Sequence, residues 1–257
     1  MRLTHDAEFH TQLVEAANVL RRSRSLAILT GAGISAESGV PTFRASDGLW
    51  EGHRIEDVAT PDGFAHNPQL VWQFYNARRD GLTRVEPNPG HHALVALEQR
   101  FAPHFALITQ NVDNLHLRAG SQRVYELHGN LQRTRCLGCE RVEDRGLEVL
   151  GERPVCPHCG HFLRPDIVWF HEMLPQDIWG AALEAVHDCD VMLVVGTSAV
   201  VHPAAGLVPL ARRKRPPATV IEINLIPSAV QDVVDIGLYG PAGEILPAIL
   251  QLLTSEK

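Results

Sequence analysis

The sequence predicts an α/β fold: a Rossmann-like parallel sheet in a large domain, with a smaller domain made of a zinc-binding insert and a helical insert. Three observations carry the prediction. Short apolar runs recur at residues 26–29, 105–109, 191–195 and 220–223, each with the length and composition of a strand buried on both faces. Helical periodicity lies between them, and strands alternating with helices imply a parallel sheet. Residues 35–85 and 133–164 break the alternation, and the second stretch holds two close cysteine pairs.

The elements follow in chain order. Residues 7–22 place Leu13, Ala16, Ala17 and Leu20 on one helical face. The run at 26–29 ends in Thr30-Gly31-Ala32-Gly33, a strand closed by a tight turn. Residues 35–85 are rich in Gly, Pro and charge around one helix at 68–82, whose apolar stripe reads as Leu70, Val71, Phe74 and Ala77. Residues 203–213 are helical. The last helix aligns Ala242, Ile245, Leu246, Ile249, Leu250 and Leu253. The expected division is 1–34, 86–132 and 165–257 for the Rossmann-like domain, 35–85 for a loop and helical insert, and 133–164 for the zinc insert.

With 257 residues and 45% apolar composition, the chain can bury a substantial core. Its net charge of −7 argues against a nonspecific nucleic-acid coat, which needs a basic surface. No apolar run approaches the length of a membrane span, and the first residues lack the apolar centre of a signal peptide. The expectation is a cytoplasmic protein with no membrane partner and no direct nucleic-acid binding.

Four of the five cysteines form Cys136-x-x-Cys139 and Cys156-x-x-Cys159. Each pair places two thiolates on one tight turn, and two such knuckles supply the closed tetrahedron of structural zinc. A closed shell leaves no position for water, so the metal is expected to fold its segment rather than to catalyse. An iron site of the same shape, or unrelated thiols, stay open on spacing alone. His158 and His161 lie near enough to compete as ligands. Cys189 reads as a small buried hydrophobe.

Gly31-Ala32-Gly33-Ile34-Ser35-Ala36 fits the G-x-G-x-x-G/A dinucleotide pattern. The first glycine permits the turn, and the second lets a pyrophosphate approach the amides at the next helix start. Such a turn is often only a turn. The acid that completes a dehydrogenase pattern about twenty residues later is not supplied, because Glu51 lies in an irregular Gly-rich stretch.

Read together, these segments resemble the sirtuin family of NAD-dependent protein deacylases. The resemblance rests on the run from Gly31 through Glu37-Ser38-Gly39-Val40-Pro41-Thr42-Phe43-Arg44, and on Thr109-Gln110-Asn111-Val112-Asp113-Asn114-Leu115-His116. It continues through His128-Gly129-Asn130, the cysteine pairs, Val168-Trp169-Phe170, Gly196-Thr197-Ser198 and Glu222-Ile223-Asn224. Tyr75-Asn76-Ala77-Arg78 resembles the short bacterial branch that includes desuccinylases and demalonylases.

The resemblance implies that NAD is consumed and that acyl-lysine proteins bind as extended peptides. The acyl oxygen attacks the nicotinamide ribose, nicotinamide leaves, and the acyl group passes to ADP-ribose. His128 matches the general base, with Asn111 and Asp113 beside it in the catalytic set. Gly31, Ala32, Gly33, Glu37, Phe43, Arg44, Gln110, Asn111, Val112, Asp113, Gly196, Thr197, Ser198, Asn224 and Ala242 match the cofactor-binding positions, with Phe43 and Arg44 on a mobile loop. Val168, Trp169 and Phe170 would present a strand edge to the peptide. Ala59 would leave room for a longer acyl chain, and Tyr75 and Arg78 would hold its carboxylate. The bland readings are a structural histidine, a polar turn, a core anchor and a solvated arginine. One departure stands out: His171 occupies a place where the family usually has glycine. The competing functions are an NAD-cleaving ADP-ribosyltransferase or NAD hydrolase, and a noncatalytic NAD-sensing module.

Overall fold

A computed structural model describes residues 7–42, 49–50 and 52–255. The elements run α1 (Ala7–Arg22), β1 (Leu26–Thr30), α2 (Ala32–Ala36), β2 (Leu49–Trp50), β3 (His53–Arg54), α3 (Ile55–Val58), α4 (Pro61–His66) and α5 (Pro68–Leu82). They continue with α6 (Pro89–Phe101), β4 (Phe105–Thr109), α7 (Leu115–Ala119), β5 (Val124–Glu126), β6 (Gly129–Cys136), β7 (Val142–Asp144) and β8 (Leu163–Ile167). The chain closes with α8 (Gln176–Asp188), β9 (Val191–Val195), α9 (Leu207–Arg213), β10 (Thr219–Asn224), β11 (Ile236–Tyr239) and α10 (Ala242–Thr254).

All five residues of β1, β4 and β9 are buried, as their unbroken apolar runs require. They form the centre of a six-stranded sheet ordered β11-β10-β9-β1-β4-β5, in which every pairing is parallel. Counted within the sheet, this is the doubly wound order in which the chain leaves the centre twice, in opposite directions. One face packs on α1, α6 and α10 through Leu13, Leu20, Leu94, Leu97, Ile245 and Ile249. The other packs on α8 and α9 through Ala182, Val186, Leu207 and Val208.

The second lobe has its own core. Helix α5 begins with Asn67, whose side chain accepts the Leu70 NH at 3.0 Å, and Pro68 at the first helical position. It contributes Val71, Trp72, Phe74, Tyr75 and Leu82 to a cluster with Leu131, Cys136, Cys156, Leu163, Ile167 and Trp169. The stripe read from the sequence is corrected at one end: Ala77 is exposed, whereas Trp72, Tyr75 and Arg79 are buried. The helix is covered on more than one side, so its buried arc is wider than one stripe. The cysteine segment lies on a three-stranded antiparallel sheet, β7-β6-β8, running from Gly129 to Ile167, wider at both ends than the span between the knuckles. Among the described residues, no helix is long and apolar enough to cross a membrane.

Candidate active site

The parallel register brings the carboxyl ends of β1, β4, β9 and β10 to one edge of the sheet. The residues that follow, Gly31 to Gly33, Gln110 to Asp113, Gly196 to Ser198 and Asn224, line a cavity of about 580 Å³, a volume ordinary for a small-molecule site. The facing wall comes from the second lobe and includes Ala59, Tyr75, Arg78 and Val168 to Glu172.

The glycine turn works by close approach. The Gly31 NH donates to Val195 O at 3.1 Å and the Gly33 NH to Gly196 O at 2.7 Å. A Cβ on Gly33 would stand 2.7 Å from the Gly196 Cα, so the two loops touch backbone to backbone. Both NH groups are spent joining the turn after β1 to the end of β9 and the loop that follows it.

Side-chain amides bind the rest of the ledge together. Asn111 donates to Gly31 O at 3.1 Å and to Ser35 Oγ at 3.2 Å. Both its amide protons are thus used, and its carbonyl is the group left to face a ligand. Gln110 donates to Thr197 Oγ1 at 3.0 Å, and Asn224 to Thr197 O at 2.9 Å. Asp113 is buried, and burial raises its pKa, opposed by bonds from the Leu115 NH and the Ser35 hydroxyl.

His128 sits where the two lobes meet. Its Nδ1 lies 3.1 Å from Gln110 O. A carbonyl only accepts, so Nδ1 carries the proton and Nε2 carries a lone pair. Burial lowers the His128 pKa below the ordinary imidazole value, and the bond to Gln110 opposes that shift. The ring is therefore neutral near pH 7 and able to accept a proton.

Away from the cavity, the Sγ atoms of Cys136, Cys139, Cys156 and Cys159 all lie within 4.8 Å of one another. Cys136 and Cys159 are 3.3 Å apart, and Cys139 and Cys156 are 3.8 Å apart. Four thiolates about 2.3 Å from one zinc ion would be separated by about 3.8 Å, so the donor set fits structural zinc. Neither His158 nor His161 joins the cluster. Cys189 is buried, and its thiol donates to Val186 O.

The sequence pattern of the Sir2 family matches residues 31–203. The chain belongs to the Sir2 family. It is 48% identical to the Pyrobaculum aerophilum protein named NAD-dependent protein deacylase 2, over 93% of this chain and 94% of that one. A Sir2 homologue mutant solved with 2′-O-acetyl ADP-ribose superposes with a TM-score of 0.85 at 40% identity, covering 94% of this chain and 98% of that one. Sir2Af2 bound to a myristoylated histone peptide superposes at 0.76 and 36% identity, covering 95% and 97%.

In this Sir2-family chain the residues expected to receive the acyl group, Ala59, Tyr75 and Arg78, all line the cavity. Tyr75 is fully buried. Its hydroxyl oxygen accepts from Trp169 Nε1 at 2.9 Å, leaving the phenolic proton for another acceptor. Burial pushes its pKa up to about 12, so it stays a donor. Arg78 is half-buried at the cavity wall, its guanidinium 5.6 Å from the Phe74 ring centroid. Ala59 is buried and lines the same wall.

The run expected to present a strand edge offers no free backbone NH. Val168-Trp169-Phe170 follows β8 without extending it, and its NH groups are bonded within the chain. Val168 donates to His128 O at 2.9 Å, Trp169 to Glu172 Oε2 at 2.8 Å, and Phe170 to Ala59 O at 3.0 Å. His171 adopts a φ of +71°, in the region where glycine is at ease.

Two residues named by resemblance lie outside the cavity lining. Glu37 accepts the Gly243 NH at 3.0 Å, and Ala242 is buried at the start of α10. Phe43, Arg44 and Glu51 fall outside the described residues. The structure adds Val200, His202, Ile226 and Ser228 to the lining. They follow β9 and β10, where the strand-end rule would have found them.

Proposed function

We propose that this chain removes acyl groups from lysine side chains of proteins and consumes NAD in doing so. The observation that carries the reading is His128: a neutral imidazole, its Nδ1 proton committed to Gln110 O, placed between the nucleotide ledge and the acyl wall. Bound NAD supplies an electrophilic ribose carbon whose bond to nicotinamide breaks. Gly31, Gly33, Thr197, Ser198 and Asn224 shape the ledge that receives the dinucleotide, and Gln110, Asn111 and Asp113 line its ribose end. As nicotinamide leaves, the acyl oxygen bonds the ribose carbon; His128 Nε2 would then accept the proton of a ribose hydroxyl as that oxygen bonds the acyl carbon, and the lysine nitrogen leaves as the free amine. Desolvation of the imidazole keeps it neutral, and so able to accept a proton, at neutral pH.

Substrate proteins bind as acyl-lysine peptides along the 168–172 turn. Tyr75 and Arg78 receive the far end of the acyl group: a phenolic donor and a planar guanidinium suit a carboxylate, so succinyl- and malonyl-lysine join acetyl-lysine as substrates. Cys136, Cys139, Cys156 and Cys159 hold one structural zinc. The cysteines form no disulfide, which suits a reducing, cytoplasmic setting.

Mass spectrometry of one peptide carrying acetyl-, malonyl- or succinyl-lysine, with NAD, tests the proposal. Nicotinamide release matched by peptide deacylation is the expected result. Nicotinamide release that needs no acyl group would instead indicate transfer of ADP-ribose to protein or water, and NAD binding without turnover would indicate a sensor.

A further inference from the structure

Helix α5 is held from behind. Tyr75 and Arg78 line the cavity, while the residue after each engages the segment between the two cysteine pairs. The Asn76 side chain accepts the Leu150 NH at 3.0 Å and donates to Leu150 O. Arg79 is only 1% exposed. It donates through Nε and Nη2 to Glu148 O, at 3.0 and 2.8 Å, and through Nη1 to Leu131 O on β6. Gln73 adds a bond to Glu152 at 3.0 Å, and Leu147 and Leu150 pack on the core that α5 shares with Cys136 and Cys156.

A buried guanidinium is tolerated only where its donors are satisfied, so the bonds of Arg79 fix α5 against the 147–152 segment. The mechanism uses neither Asn76 nor Arg79. We propose that both are positioning residues for the acyl end of the cavity: the zinc module, acting through residues 147–152, sets where α5 holds Tyr75 and Arg78. This rests on the deacylase reading given above. The nucleotide ledge belongs to the parallel sheet, and the hydrogen bonds of Asn76 and Arg79 go to residues 131, 148 and 150 instead, so the influence is confined to the acyl-peptide side.

The test compares the full-length wild type with Asn76→Ala and Arg79→Met on acetyl-lysine and succinyl-lysine forms of one peptide. KM is measured separately for peptide and for NAD, alongside zinc content and calorimetric peptide binding without NAD. Peptide KM and peptide Kd are expected to rise together by about threefold or more, further for succinyl- than for acetyl-lysine, while KM for NAD and zinc content stay at wild-type values. Asn76 is only half-buried, so Asn76→Ala keeps the test open if Arg79→Met fails to fold. An unchanged peptide KM in folded Asn76→Ala, or an equal rise in KM for NAD, would overturn the proposal. A wild type inactive on every acyl peptide would overturn the deacylase reading instead.

Discussion

Replacing His171 by glycine should raise the stability of the protein. His171 is the third residue of a turn closed by the Glu172 NH donating to Trp169 O at 3.1 Å, and its φ is +71°. That place in a turn favours glycine when φ is positive. The left-handed conformation costs an L-residue about 1–2 kcal/mol. Glycine gives back part of the gain, about 0.5–1 kcal/mol, through the extra freedom of the unfolded chain. The net gain is about 0.5–1 kcal/mol, or roughly 1–4 °C in Tm for a chain of this size. The turn tolerates the strain because it is pinned elsewhere: Glu172 pairs with Arg164 at 2.6 Å and caps the Trp169 NH. Thermal unfolding at fixed zinc loading, with His171→Asn as an intermediate because asparagine visits this region more readily, should rank Gly above Asn above His. A glycine variant melting at or below the wild type would refute the strain argument and show that the imidazole makes contacts worth more than the backbone penalty.

Four further outcomes are expected. His128→Ala should abolish deacylation while calorimetry still shows NAD binding; near-normal turnover in the folded variant would remove His128 from the mechanism. Turnover should be lost on the acid side as His128 takes up a proton and recover with rising pH through a pKa below about 6.5, giving a flat profile near neutrality; a rise centred above pH 7 would contradict the burial argument. Arg78→Met should weaken desuccinylation by at least about tenfold, mainly through KM, with deacetylation little changed, since a charge-assisted bond contributes about 1.5–3 kcal/mol; an equal fall in both activities would make α5 merely structural. Metal analysis should find one zinc per chain, and stripping it should unfold the second lobe; active protein without zinc would exclude the structural role.

The parallel sheet was legible because β1, β4 and β9 carry unbroken apolar runs and β10 carries one interrupted only by the buried Glu222, and α1, α5 and α10 because their buried faces repeat at helical spacing. Strands β6 and β8 were not, since GNLQRTRC and LRPDI are polar. Their charges are accommodated by pairing, with Arg133 on Glu126 and Asp166 at 2.7 and 3.0 Å and Arg135 on Asp166 at 2.9 Å, a tertiary effect that periodicity does not record. Arg79 beside Arg78 reads as surface charge for the same reason: the carbonyls that satisfy it come from residues 131 and 148. Resemblance singled out His128, Tyr75 and Arg78, which line the cavity, and the irregular backbone at His171 was signalled by the family's usual glycine at that place. The internal bonding of the Val168 to Phe170 amides could not, because it depends on Glu172 and Ala59 closing over a buried tryptophan.

His128 is bonded on both sides of the joint between the lobes. Its ring donates to Gln110 O, at the end of β4, and its backbone oxygen accepts the Val168 NH, just past β8. The imidazole is thus an interlock: a swing of one lobe against the other must break one of these bonds or turn the ring.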